Sequence, residues 1–323
     1  MTDAAQNPPA LLRAAKLLRD ALPYLGLVLL IAYFSFASAF FFNLRNFERL
    51  ASDSATLVIV ALGMTLIILL GEIDLSVGAV TALLSVLIAQ MMGVGMPWPL
   101  AVAATLALSF AIGLLNGMIT VLGGIHSFVT TLGMNAVATG LAFIFTGAIS
   151  VPIYDITFLD LFYSDTILGI PVPLILVLIS FAACLVTLRL TAFGRELYAI
   201  GANIEAARLS GIPVRRDKIA VFALMGLLVG IGAVLSASRL GSGAPGSSPS
   251  LTLDAIAAVI IGGASLFGGR ASVVRTFLGA LLIAVLNNGM VLLNVNADAQ
   301  YIVKGVIILL AVVLERIAAG VRS

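Results

Sequence analysis

Two carboxylates, Glu72 and Asp74, stand in the segment Gly71-Glu72-Ile73-Asp74-Leu75-Ser76-Val77-Gly78, between apolar runs long enough to cross a bilayer. A charge beside hydrocarbon is costly and ordinarily faces a cavity or a partner. Two readings fit. In one, a broken helix lines a pathway or gate and Ser76 caps the segment that follows. In the other, an interfacial turn lets both carboxylates touch water or cap a helix. A proton relay would need a second intramembrane carboxylate to continue it, and none obviously does. Amides and hydroxyls recur inside the apolar runs at Gln90, Asn116, Thr130, Thr131, Asn135, Asn287 and Asn288. Each must find hydrogen bonds in a bilayer core. Asn116 lies beside Gly113 and Gly117, and Asn287-Asn288 precede Gly289, so backbones can approach and amides can bridge helices. Together the same groups suit a path for a hydroxyl-rich solute. Phe128 fits a constriction or a lipid-facing or core position. His126 reads as a polar end residue rather than a ligand or pH switch.

Other chemistry is excluded by what the chain lacks. It has one His and one Cys, so no metal-ligand cluster is expected. Cys184 lies in an apolar run and reads as a small buried hydrophobe. No nucleophile–base constellation stands out, and no G-x-x-x-x-G-K-[ST] phosphate loop is present. The chain is therefore read as a non-enzyme that binds no cofactor of its own.

The most distinctive polar stretch is Gly201 to Pro213. Asn203 suits an N-cap and Glu205 the first turn, where the helix dipole favours an anion. Gly211 suits a left-handed exit, and Pro213 stops continuation. Ala206 and Ala207 offer a small-residue surface, and Arg208 joins Arg189, Arg195, Arg215, Arg216 and Lys218 in a basic surround. A capped polar helix on a basic loop between spans has the form of a docking element for a cytoplasmic partner.

These residues must be held by membrane helices. The 323 residues are 61% hydrophobic and only 10% charged, against roughly 25% charged in soluble domains. The pattern predicts an all-α polytopic membrane protein with about ten transmembrane helices and Gly-rich breaks. The spans fall at about 22–42, 54–71, 75–92, 98–122, 127–147, 171–189, 219–238, 252–269, 272–293 and 301–316. Residues 1–21 form a polar, basic segment with Arg13, Lys16 and Arg19, 22–316 a single transmembrane domain, and 317–323 a tail. Of the 17 Lys and Arg, Arg45, Arg49, Arg239 and Lys304 fall on external segments and the rest on internal ones. That bias places both termini and the 190–218 loop in the cytoplasm. Lys304 is expected to snorkel to the external interface, Arg270 and Arg275 to anchor the inner face, and Trp98 to anchor the outer one. The 239–251 connection, rich in Gly, Ser and Pro, fits an external mouth or a plain turn. The break Gly262 to Gly269 echoes the break at 71–78, which fits either a parallel internal repeat or coincidence between Gly-rich apolar segments.

The chain resembles the permease subunits of bacterial ATP-binding-cassette importers for monosaccharides, in the ribose/xylose/galactose/arabinose branch. The likeness runs from about residue 25 to 316. It is carried by Ala61-Leu62-Gly63-Met64-Thr65, by Ile73-Asp74-Leu75-Ser76-Val77-Gly78, and by Thr131-Leu132-Gly133. It continues through Phe193-Gly194-Arg195 and Glu205-Ala206-Ala207-Arg208-Leu209-Ser210-Gly211-Ile212-Pro213, then Leu253-Asp254-Ala255-Ile256-Ala257-Ala258-Val259 and Leu286-Asn287-Asn288-Gly289. The resemblance implies that 202–211 is the coupling helix, with Glu205, Ala206, Ala207 and Gly211 on the family pattern. It further implies an ATP-binding subunit in the cytoplasm that holds ATP and Mg, a periplasmic solute-binding protein, a second permease copy or homologous permease, and a place in the bacterial inner membrane. No nucleic-acid partner is expected. On this view Asp74, Asn116, Phe128, Thr131, Asn287 and Asn288 are pathway candidates. The chain departs from the family at Glu72, usually a small residue there, at His126-Ser127, which replaces a Pro-containing entry, at Thr130, and at Ala271 and Arg275. The competing expectation is a proton-coupled secondary transporter using Glu72 or Asp74.

Overall fold

The computed structural model describes residues 10–320, with side-chain surroundings from residue 24 to 307 and at 309, 310 and 313. The basic side chains expected at Arg13, Lys16 and Arg19, residues 1–9 and residues 321–323 of the expected tail lie outside the described residues. The chain runs α1 (Ala10–Ala37), α2 (Leu44–Leu69), α3 (Val77–Gly93), α4 (Trp98–Leu122), α5 (Ser127–Thr146), α6 (Ile156–Leu159), α7 (Val172–Leu190), α8 (Ala192–Ala202), α9 (Ile204–Leu209), α10 (Val214–Leu240), α11 (Leu251–Ile261), α12 (Val273–Leu292) and α13 (Ala297–Gly320). Among the described residues, six helices are long and apolar enough to cross a membrane: α2, α4, α5, α7, α10 and α12. The expected count of about ten is not reached by that measure. Expected span 252–269 holds only the 11-residue α11, about 16 Å long against a hydrocarbon core of about 30 Å. Gly262 and Gly263 end the helix, and the chain runs irregularly to Ser272.

Buried α2 is the hub, enclosed along most of its length and packed on α7, α10, α11 and α12. Lipid is as apolar as Leu, so close backbone approach has to supply what hydrophobic burial cannot. The α4–α10 crossing shows how. A Cβ on Gly113 would stand 2.8 Å from the Gly226 Cα, and one on Gly117 would stand 3.0 Å from the Ile219 Cα. Small residues on both helices therefore let the two backbones touch. Helices α4, α5 and α7 keep most of their surface uncovered by the rest of the chain.

The connection after α5 is short of regular structure but tied down. Strand β1 (Val151–Pro152) leads to α6, and a β2–β3 hairpin (Thr166–Ile167, Ile170–Pro171) precedes α7. Strand β1 pairs antiparallel with β4 (Ser242–Gly243) in the 239–251 connection. That connection is therefore pinned to the neighbouring loop.

The two Gly-rich breaks meet. The Gly269 amide donates to the Leu69 carbonyl at 2.9 Å, and a Cβ on Gly268 would lie 2.8 Å from the Gly71 nitrogen. Both Gly71 (φ +72°) and Gly268 (φ +86°) take the left-handed conformation that glycine adopts without steric cost.

Candidate functional site

Helix α9 and its flanks form the first of three groups. Asn203 is extended, and its Oδ1 accepts from the amides of Glu205 (3.1 Å) and Ala206 (3.0 Å), the expected N-cap. At the other end the Gly211 amide bonds to the Arg208 carbonyl and the Ile212 amide to the Ala207 carbonyl, each at 3.1 Å. Gly211 sits at φ +82°. This paired exit satisfies the last carbonyls of the helix, and Pro213 then leads into α10. Glu205 and Arg208 face each other at 3.4 Å on the exposed side.

One expectation needs correction. Ala207 does not share an exposed face with Ala206: it is 3% exposed and packs into the chain's own core. The uncovered side carries Ile204, Ala206, Arg208 and Leu209, with Leu209 84% exposed. Leu209 was passed over in reading the sequence. Its signal was available, since a large apolar residue ends a polar helix on a basic loop.

The segment entering α9 touches both breaks. A Cβ on Gly201 would collide with the Leu69 carbonyl and lie 2.6 Å from the Gly269 amide. Tyr198 Oη donates to the Ala271 carbonyl at 3.0 Å. Burial pushes the Tyr198 phenol upward in pKa, so it holds this bond as a neutral donor.

The second group surrounds the extended stretch Glu72–Ser76. A non-helical backbone at membrane depth persists only where its polar groups find partners inside the protein. Here hydroxyls of α5 supply them. The Ile73 amide donates to Ser127 Oγ (3.2 Å) and the Leu75 amide to Thr131 Oγ1 (3.0 Å). Ser127 and Thr131 are four apart and share one helix face. Asp74 Oδ1 accepts from the Ser76 amide (2.8 Å) and the Ser76 hydroxyl (2.6 Å), while Asn116 Nδ2 donates to Ser76 Oγ at 3.1 Å. Ser76 makes no side-chain cap to α3, contrary to expectation; its hydroxyl is turned to Asp74 instead. Asn116 Oδ1 and Thr130 Oγ1 are buried without a partner. Asp74, Asn116 and Thr131 are thus brought together. Phe128 is not: it points from the uncovered side of α5.

The third group lies along the first half of α2, from Leu50 to Leu57. A cavity of about 310 Å³ opens between α2, α10, α11 and α12 and the 239–251 connection. Asn287 and Asn288 line it together with Ser247, Ser248 and Ser250. Its charges are matched: Asp53 with Arg239 at 2.8 Å, and Asp254 with Lys304 at 2.9 Å, Ser250 Oγ adding a bond to Asp254 at 3.0 Å. Lys304 was expected to snorkel outward. Instead it is drawn inward by the buried carboxylate of Asp254. Asn288 and Asn46 exchange amide bonds at 2.9 and 3.1 Å, whereas Asn287 Oδ1 and Ser247 Oγ are buried without partners. The cavity adjoins the second group, because the Gly78 amide donates to Thr252 Oγ1 at 3.1 Å and a Cβ on Gly78 would lie 2.7 Å from the Ser248 carbonyl.

Beside α9, Lys218 Nζ donates to Glu72 Oε1 at the edge of a cleft of about 420 Å³ bordered by His126, Glu205, Arg208 and Arg215. Among the described residues no group of three or more His, Cys, Asp or Glu is placed to hold a metal ion.

Broken helices with buried polar support, enclosed between spans, define a multi-pass membrane transport component. Residues 46–312 match the family model described as the branched-chain amino acid transport system / permease component, and the chain belongs to that permease family. It is 40% identical over 294 residues to the ribose import permease protein RbsC of Escherichia coli K12, covering 90% of this chain and 92% of that one. It is 41% identical over 292 residues to the probable ABC transporter permease protein YphD of the same organism, at 89% and 88% coverage. It is 34% identical over 294 residues to that organism's D-allose transport system permease protein AlsC, covering 90% of each. No solved structure matches the chain.

Proposed function

We propose that the chain is the permease subunit of an ATP-binding-cassette importer that carries a monosaccharide or similar small polar solute across the bacterial inner membrane. The observation that carries this reading is the junction of Gly201 with both breaks, immediately before α9. Gly201, near the end of α8, bears on the two places where membrane helices are interrupted, and α9 with its exposed Leu209 follows directly. Movement of α9 by a cytoplasmic ATP-binding subunit would pass through Gly201 into the break at 71–76. From there it reaches Gly78, Ser248 and the outer cavity. ATP and Mg would be held by that subunit and not by this chain.

In this reading the α9 end and both termini are cytoplasmic, and the outer cavity faces a periplasmic solute-binding protein. Its matched charges and orphaned Asn287 Oδ1 and Ser247 Oγ suit a neutral polyhydroxylated solute. The ribose and allose permeases among the relatives support the same class. The uncovered face of α5, with Phe128, Leu132 and Phe143, is where a second permease copy or homologous permease would sit.

The test is co-purification of the chain with an ATP-hydrolysing subunit, followed by uptake of labelled D-ribose and D-allose into proteoliposomes supplied with a binding protein. Uptake that needs ATP supports the reading. A second reading rests on Asp74, a buried carboxylate with no basic partner among the described residues. It makes the chain a proton-coupled transporter and requires gradient-driven uptake by the chain alone.

A further inference from the structure

We propose that Glu72 and Lys218 form a latch between the first break and the coupling segment, and are positioning residues that make ATP hydrolysis conditional on solute delivery. This rests on the permease reading above. Glu72 lies two residues before Asp74, in the stretch whose hydrogen bonds place the start of α3. Lys218 lies five residues past Pro213, in the first turns of α10. Their side chains pair across 146 positions of sequence, and are only 10% and 15% exposed.

The pair completes a bracket. Upstream of α9, Gly201 bears on Leu69 and Gly269. Downstream of α9, Lys218 holds Glu72. Both ends of the coupling segment are thereby fastened to one break. An ion pair largely shielded from water leaves two costly unpaired charges when broken. It therefore favours two discrete arrangements over a continuous stretch, as a gate requires. The adjoining cleft of about 420 Å³ gives the two groups space to part and water space to enter.

The complex of this chain with its ATP-binding subunit and binding protein tests the proposal in proteoliposomes, by the ratio of ATP hydrolysis with the binding protein to hydrolysis without it. Glu72→Gln and Lys218→Met should each lower that ratio by about tenfold, mainly by raising hydrolysis without the binding protein. Lys218→Arg should keep the ratio, and the exchange Glu72→Lys with Lys218→Glu should restore most of it. Single variants with the wild-type ratio, or an exchange no better than either single change, overturn the latch. If the single variants do not assemble, Glu72→Cys with Lys218→Cys in a Cys184→Ala background replaces them. Bridging the two thiols with a short reducible cross-linker should stop ATP hydrolysis with or without the binding protein, and reduction should release hydrolysis that no longer depends on the binding protein. Undiminished hydrolysis in the bridged protein overturns the latch. The permease reading is tested first and separately, in the unaltered chain: if that chain recruits no ATP-hydrolysing subunit, both proposals fall.

Discussion

The Gly269 amide bonds to the Leu69 carbonyl at 2.9 Å, so two helix interruptions 200 residues apart in sequence share one backbone hydrogen bond. The carbonyl that loses its helical partner where α2 ends is satisfied by the amide of a loop that exists only because α11 ends early. Neither break would be stable alone in a bilayer, where an orphaned backbone group costs several kcal/mol, on the order of 2–7. Gly201 closes the junction from a third side.

Gly201→Val should therefore be disruptive. Its side chain would be built onto the Leu69 carbonyl, and overpacking of this kind costs about 1–3 kcal/mol. Thermal unfolding of the purified protein should show a lowered midpoint. An unchanged midpoint would mean that the junction is looser than described.

Leu209 and Ala207 separate docking from folding. Leu209→Glu changes a residue that is 84% exposed. It should leave expression unchanged and stability within about 0.5 kcal/mol of wild type while abolishing association with the ATP-binding subunit. Ala207→Glu places a charge among core residues and should lower stability by several kcal/mol, about 3 or more. Equal folding defects in both variants would contradict the orientation of α9.

Asn203→Ala removes the acceptor for two amides at the start of α9. The expected cost is about 1 kcal/mol. In a helix of only six residues that should appear as faster amide hydrogen exchange at Glu205 and Ala206. Unaltered exchange there would show that tertiary packing alone holds α9.

Asp254→Asn should strand Lys304 in a polar but enclosed setting. Breaking a buried pair from one side costs about 3–5 kcal/mol. The double change Asp254→Asn with Lys304→Met should recover much of that loss, because no unpaired charge remains. A double variant as unstable as the single one would place Lys304 at the surface after all. Denaturant unfolding of both variants, alongside Lys304→Met alone, provides the comparison.

Asn287→Leu should act differently. Asn287 Oδ1 has no partner in the protein, so its loss leaves nothing unsatisfied and stability should change by less than about 1.5 kcal/mol. If the outer cavity carries solute, uptake should still fall at least tenfold, a change of about 1.4 kcal/mol in transport. Full uptake in a stable Asn287→Leu protein would move the pathway elsewhere.

Membrane residence, the helical class, the two interruptions and the caps of α9 were legible from residue order alone. Each rests on local physics: a long apolar run has to be helical in lipid, a left-handed turn wants glycine, and an amide oxygen two residues ahead of free N–H groups will cap them. The family followed from the order of short motifs. What could not be read locally was which side of a residue faces which neighbour. Ala206 and Ala207 are alike in composition, and only the packing of α9 sends one inward. Lys304 looked like a snorkelling cation because Asp254, 50 positions away, is a partner that sequence spacing does not disclose. Thr131 accepts from the Leu75 amide, 56 positions away, a partnership that residue order does not disclose. Sequence determines which groups are costly to leave unpaired in a bilayer. Tertiary structure alone decides who pairs them, because those partners come from helices that meet only after the chain has folded.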